Sequence, residues 1–188
     1  EQQIFARWFP DTSQPHQLHP FCNNANAAIR RTLWEKHPYD ETLTGLEDLA
    51  WAKHIMDQGF TISYSAAAEI IHIHDETPRG VYNRYRREAI AFKRLFPDEN
   101  FGFWNFLWLT VSNITSDMWH ALRQRKLVGN APGIIWFRVM QFLGTYRGYQ
   151  HAGPITAQLR KTFYYPRSLD QKEDRTERAE PIDYGNLD

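Results

Sequence analysis

An α/β fold class, continued by an aromatic-rich α-helical extension, is what this sequence predicts, and three observations carry it. Phe60-Thr61-Ile62-Ser63-Tyr64 alternates apolar and polar side chains as a strand does, and Ile70-Ile71-His72-Ile73-His74 reads as a second strand. Two longer stretches, roughly 46–58 and 77–96, carry helical periodicity between start and stop signals. From 101 to 116 no charged residue occurs and aromatic residues dominate.

The elements follow in order. Residues 1–20 mix aromatics with Pro10, Pro15 and Pro20 and read as a loop. Phe21-Cys22-Asn23-Asn24-Ala25-Asn26 suits a short strand or tight loop, and residues 27–34 a short helix with Ile29, Leu33 and Trp34 on one side. Asparagines of this kind serve turns as readily as ligands. Leu46, Leu49, Ala50, Trp51, Ile55 and Met56 give the next helix an apolar face, and Gly59 stands where a left-handed cap ends it. Thr77-Pro78 is an N-cap followed by proline at the first helical position. Phe101–Val111 and Gly133–Gly144 are two apolar, aromatic stretches with basic residues after each. Such stretches suit a membrane interface, and equally a helical hairpin packed on the domain or on a second subunit.

The totals set outer bounds. A chain of 188 residues suits one domain or slightly more. Lys/Arg and Asp/Glu balance at 22 each, but residues 1–76 hold 5 basic against 11 acidic and residues 101–163 hold 7 against 1. A basic middle favours an anionic partner. The basic residues form no known nucleic-acid recognition motif, so nucleic acid is not an expected partner. Cys22 is the single cysteine, which rules out an intrachain disulfide and suits a reducing compartment. The start lacks an initiator Met and a basic-then-apolar leader, so the chain reads as an excised piece without a secretory signal. No run approaches the ~18 apolar residues of a membrane span.

Glu47 and Asp48 are the chemical focus. Acidic residues at a helix start are often only partners of the helix dipole. Here they follow Gly45, in a loop that a ligand can approach. His72 and His74 share one face of their strand and suit either metal ligation or a polar surface. Arg84 and Arg87, three apart on a helix, suit either a solvated face or a phosphate.

Taken as an ordered set, Phe21 to Arg31, Tyr39-Asp40-Glu41, Leu46 to Ala52, Gly59-Phe60-Thr61-Ile62 and the His-x-His run resemble the C-terminal half of a family 2 glycosyltransferase of the GT-A fold. The order and spacing are those of bacterial enzymes that build surface polysaccharides, and the match covers roughly residues 18–95. The resemblance implies inverting transfer of a sugar from a nucleotide-sugar donor to a glycan or lipid-linked acceptor. It makes Asp48 the general base and gives Glu47 the orienting of the acceptor or helix start. It places Asn24, Asn26, Gly45 and Trp51 at the sugars and Arg84 and Arg87 at the diphosphate. His72 or His74 would bind a divalent metal, Mn2+ or Mg2+, on that diphosphate. The family's Asp-x-Asp does not occur in this sequence, so its donor-binding half is expected from elsewhere.

The expected organisation is residues 1–97 as the acceptor-side part of the catalytic domain, 98–165 as the helical extension and 166–188 as an irregular charged tail. The expected location is cytoplasmic, peripheral on the inner membrane face, with a membrane or homo-oligomer contact through 101–148. The alternative is a non-catalytic, transferase-like assembly module that recruits membrane or polysaccharide machinery through its aromatic helices.

Overall fold

A computed structural model describes residues 9–70 and 77–153. The chain divides into two units, Glu1–Pro154 and Ile155–Asp188, and every described residue belongs to the first. Among the described residues the helices are α1 (Arg31–Lys36), α2 (Glu47–Asp57), α3 (Pro78–Leu95), α4 (Phe103–Arg123) and α5 (Leu127–Tyr149), with a 3-10 turn at Asn24–Asn26.

The α/β class, and with it the expected portion of a GT-A domain, is corrected: the described residues are largely helical and contain no sheet. Their β pairing is an isolated antiparallel bridge between Gln14 and Tyr64. Gln14 and Tyr64 exchange backbone hydrogen bonds of 2.9 and 2.8 Å, and the Gln17 amide donates to the Ile62 carbonyl at 2.8 Å. Period-two alternation at 60–64 specifies an extended backbone with two faces, but not a partner. The partner here is the loop bearing Pro10, Pro15 and Pro20, whose missing amides cannot continue a ladder. Ile70 lies in no strand, and the rest of its expected strand is outside the described residues.

The helices form where their caps place them. Thr77 accepts the Gly80 amide through its hydroxyl at 3.1 Å, with Pro78 opening α3. Beyond α2, Gly59 takes φ +86° and ends the helix. The helix expected at 27–34 forms later and shorter as α1, because Asn23 caps a 3-10 turn first, its side chain accepting the Ala25 amide at 2.9 Å.

The central contact is α3 against α5. A Cβ added at Gly144 would lie 2.5 Å from the Tyr82 carbonyl oxygen, and one at Gly148 would lie 2.5 Å from the Ala89 Cβ and 2.6 Å from the Arg86 carbonyl oxygen. The two backbones therefore touch across a pair of glycines four residues apart. Lys93 adds a hydrogen bond of 2.7 Å to the Tyr149 carbonyl at the end of α5. The buried core includes Leu43, Trp51, Ala52 and Ile55 from the α2 region and Val81, Ala89, Ile90 and Ala91 from α3.

Helix α4 returns against α5 as a hairpin. Arg125, at φ +57°, turns the chain, and the Lys126 amide closes on the Ala121 carbonyl at 2.9 Å. Arg138 of α5 grips both carboxylate oxygens of Asp117 at 2.6 and 3.1 Å and donates to Gln141 at 2.9 Å. The Arg138 side chain is 4% exposed. A buried pair of this geometry adds little over an apolar pair, but losing one partner strands a buried charge. No described helix is long and apolar enough to cross a membrane.

Gly148→Ala is expected to lower unfolding free energy by about 1–3 kcal/mol through overpacking against α3. Gly133→Ala, where an added Cβ meets nothing within 4 Å, is expected to stabilise slightly. Urea unfolding of both variants checks this; equal effects would show that α3 and α5 do not approach so closely. Asp117→Ala is expected to cost about 3–5 kcal/mol, the penalty for an uncompensated buried charge, read by the same titration.

Candidate functional site

The N-terminus of α2 gathers most of the residues that the sequence singles out. Gly45 sits at φ +154° and Leu46 at φ +59°, a left-handed conformation that a leucine rarely adopts. Leu46 is the N-cap and supplies no side-chain cap. Asp48 takes over part of that task. Asp48 Oδ1 accepts the Leu49 amide at 2.8 Å.

Asp48 Oδ2 accepts the Asn24 amide at 3.0 Å, across 24 residues of sequence. The side-chain oxygen of Asn24 in turn accepts the Tyr39 hydroxyl at 2.7 Å. Tyr39, Asn24 and Asp48 thus form a chain of hydrogen bonds, on the 3-10 turn, the loop after α1 and the first turn of α2. Each Asp48 oxygen uses one lone-pair direction in these bonds and keeps another for a further donor. The positive end of the α2 dipole lies at the same place.

Cys22 and Tyr39 belong to the same electrostatic neighbourhood. Burial pushes the Cys22 thiol above its ordinary value, the Asp48 charge pushes it further, and the Asn23 backbone opposes both. Burial also raises Tyr39, helped by the charges of Cys22, Asp48 and Glu47. Both groups therefore stay protonated at neutral pH, and Tyr39 remains a donor. In the adjoining loop the Thr42 hydroxyl and amide, at 2.6 and 2.9 Å, hold Asp40 below its usual value.

The remaining expected residues fall at varied distances from this chain of bonds. Asn26 turns elsewhere and donates to the Ala68 carbonyl at 2.7 Å. Trp51 is buried; its indole donates to the His37 carbonyl at 2.7 Å and its ring meets Tyr39 edge-on at 6.1 Å. A Cβ at Gly45 would lie 3.9 Å from Arg87 Nε, so the Arg87 side chain runs beside the loop that leads into Glu47. Arg84 stacks its guanidinium over Tyr85 at 4.9 Å. His72 and His74 lie outside the described residues. Among the described residues no group of three or more His, Cys, Asp or Glu side chains is placed to hold a metal ion.

Tyr39 and Cys22 are the members of the cluster that were not singled out from the sequence as site residues. Both lie inside the motif pieces, Tyr39 beside Asp40 and Cys22 before the asparagines, but a phenol and a lone thiol carry no spacing signal of their own. Neither a family model, a curated protein nor a solved structure matches the chain.

Because Cys22 is the single cysteine, its alkylation rate against pH reads its ionisation directly. The thiol is expected to titrate above an ordinary cysteine, and Asp48→Asn is expected to bring it down, since the carboxylate charge is one cause of the rise. The folded state then holds that proton more tightly than the unfolded chain. The linkage stabilises the fold below the ordinary thiol range and is lost as pH rises through the raised value. An unaltered titration in Asp48→Asn would separate the two residues.

Proposed function

We propose that this chain supplies the acceptor-activating side of an inverting glycosyltransferase, acting on a glycan or lipid-linked acceptor in cell-surface polysaccharide synthesis. The observation that carries the proposal is the bond from the Asn24 amide to Asp48, extended to Tyr39, at the start of α2. It joins three of the motif pieces that the sequence spreads from 21 to 52.

Asp48 takes the proton of the acceptor hydroxyl as that oxygen attacks the anomeric carbon of the donor sugar. The bond from that carbon to the nucleotide diphosphate breaks, and the diphosphate leaves with the electron pair. A base placed within hydrogen-bond reach contributes about 10²–10⁴-fold to such a step. The Asn24 and Leu49 amides fix the carboxylate, so its free lone pairs face a constant direction. Glu47, the first residue of α2, orients the acceptor. Asn24 holds the sugar side of the site with Tyr39, whose ring Trp51 braces. Asn26 anchors the turn to Ala68, and Gly45 supplies the positive φ with which the loop enters α2 beside Arg87. Arg87, with Arg84 one turn earlier on α3, belongs to the diphosphate side.

The donor-binding half comes from another segment or chain. The divalent ion that the resemblance implies finds no ligand set among the described residues, and its candidates His72 and His74 lie outside them. The setting that suits a lipid-linked acceptor is the cytoplasmic face of the inner membrane.

A non-catalytic assembly module is favoured by a different observation, the outward aromatic face of α4. One variant separates the two. In the enzyme completed by its donor-binding half, Asp48→Asn is expected to cut turnover by about 10²–10⁴-fold while donor binding, measured by calorimetry, stays within error. Asparagine keeps an oxygen for the Asn24 amide, so the fold survives. Unchanged turnover would remove the base, and no turnover in either form would favour the module.

A further inference from the structure

Helix α4 carries two stripes of opposite meaning. Phe106, Thr110, Asp117 and Ala121 face α5: Phe106 stacks on Tyr146 at 5.8 Å, Thr110 and Ala121 are buried, and Asp117 is held by Arg138. Trp104, Trp108, Val111, Trp119 and Leu122 repeat at helical spacing on the outer side and are exposed. Trp104 is 75% exposed, Trp108 72% and Trp119 57%. An ordinary water-facing helix has the reverse arrangement, with apolar residues inside and charge outside.

We propose that this outer stripe is a docking surface for an anionic lipid bilayer, with α4 lying in the plane of the interface. It deepens the peripheral location proposed above and rests on that reading for its setting. Tryptophan prefers the headgroup level, where its ring is half apolar and its N–H stays wet. Charge supplies the second argument. Asp117 is the one acidic residue from 101 to 163, and it is turned inward and neutralised. At the C-terminal end of the stripe Arg123, Arg125 and Lys126 are exposed, and the Arg123 guanidinium lies over the Trp119 ring at 5.1 Å. An aromatic band ending in uncompensated cations complements phosphate headgroups above acyl chains. A second copy of the stripe would bring the same cations and no acid to meet them.

The test uses the full chain with vesicles of phosphatidylcholine alone or mixed with phosphatidylglycerol. Cosedimentation is expected only with the anionic vesicles, and brominated lipid is expected to quench tryptophan emission. Trp104→Ser with Trp108→Ser and Trp119→Ser should abolish both signals, with circular dichroism unchanged. Arg123→Gln with Lys126→Gln, which keeps every aromatic ring, should weaken anionic-vesicle binding by at least about tenfold. Absence of binding, or binding that neither variant alters, overturns the proposal. So does a dimer, seen by sedimentation equilibrium without vesicle binding, that dissociates in Trp108→Ser. Asp48→Asn should bind vesicles like the parent, so loss of the α4 surface and loss of the transfer site are read independently.

Discussion

The crossing of α3 and α5 at Gly144 and Gly148 is the constraint from which the described architecture follows. With no Cβ on either residue, the backbone of α5 comes against the carbonyls of Tyr82 and Arg86. Contact this close fixes both the separation and the rotation of the two helices, because any side chain in the gap would force them apart. Helix α3 becomes a platform with one face committed to α5. Its other side is then free to receive the loop before α2. The Thr44 hydroxyl, fully buried, donates to the Arg87 carbonyl at 2.7 Å, one residue beyond the contact with Gly148. The entrance to α2 is therefore set by the same segment of α3 that α5 clamps. Asp48 owes its position to a glycine about a hundred residues later in the chain.

A second consequence concerns α4. Once α5 has given its glycine face to α3, its partner on the other side has to satisfy Arg138. Asp117 does so with two hydrogen bonds and so determines which face of α4 points inward. The aromatic stripe, on the opposite side, is left outward as a matter of helical geometry. A buried ion pair contributes little net stability compared with apolar packing, but it specifies orientation strongly, because every other rotation strands a charge. Here that specification leaves three tryptophans exposed.

Much of the helical structure was legible from single residues. Thr77 with Pro78 and Gly59 mark ends through local chemistry that operates in any context. The absence of a sheet among the described residues was not legible. Alternation at 60–64 describes how that segment is extended, and the segment is extended, but a sheet depends on what lies alongside. The neighbour turned out to be a proline-bearing loop. The glycine crossing was equally hidden: Gly144 and Gly148 look like breaks in an apolar helix until α3 is placed against them. At the candidate site, Asn24 and Asp48 were named from separate motif pieces, and the bond between them is a tertiary fact. Trp51 was named with them as a sugar contact, whereas burial commits its indole to His37.

Leu46 joins these levels. A leucine in the left-handed region costs about 1–2 kcal/mol relative to a right-handed one, and glycine would relieve it. The strain is held by its neighbours: Leu43 and Thr44 are buried just before it, and α2 begins just after with Trp51, Ala52 and Ile55 in the core. The chain must turn within Gly45 and Leu46 to satisfy both. That turn brings the Asp48 carboxylate back to the Asn24 amide. Strain of this kind persists where surrounding structure over-determines it, and such positions cluster at functional sites. A pair of acids that served only the helix dipole would need no such turn, since a straight entry with an ordinary cap would satisfy the same amides. The backbone conformation at Leu46 thus joins the buried segment before it to α2 and sets Asp48 beside Asn24.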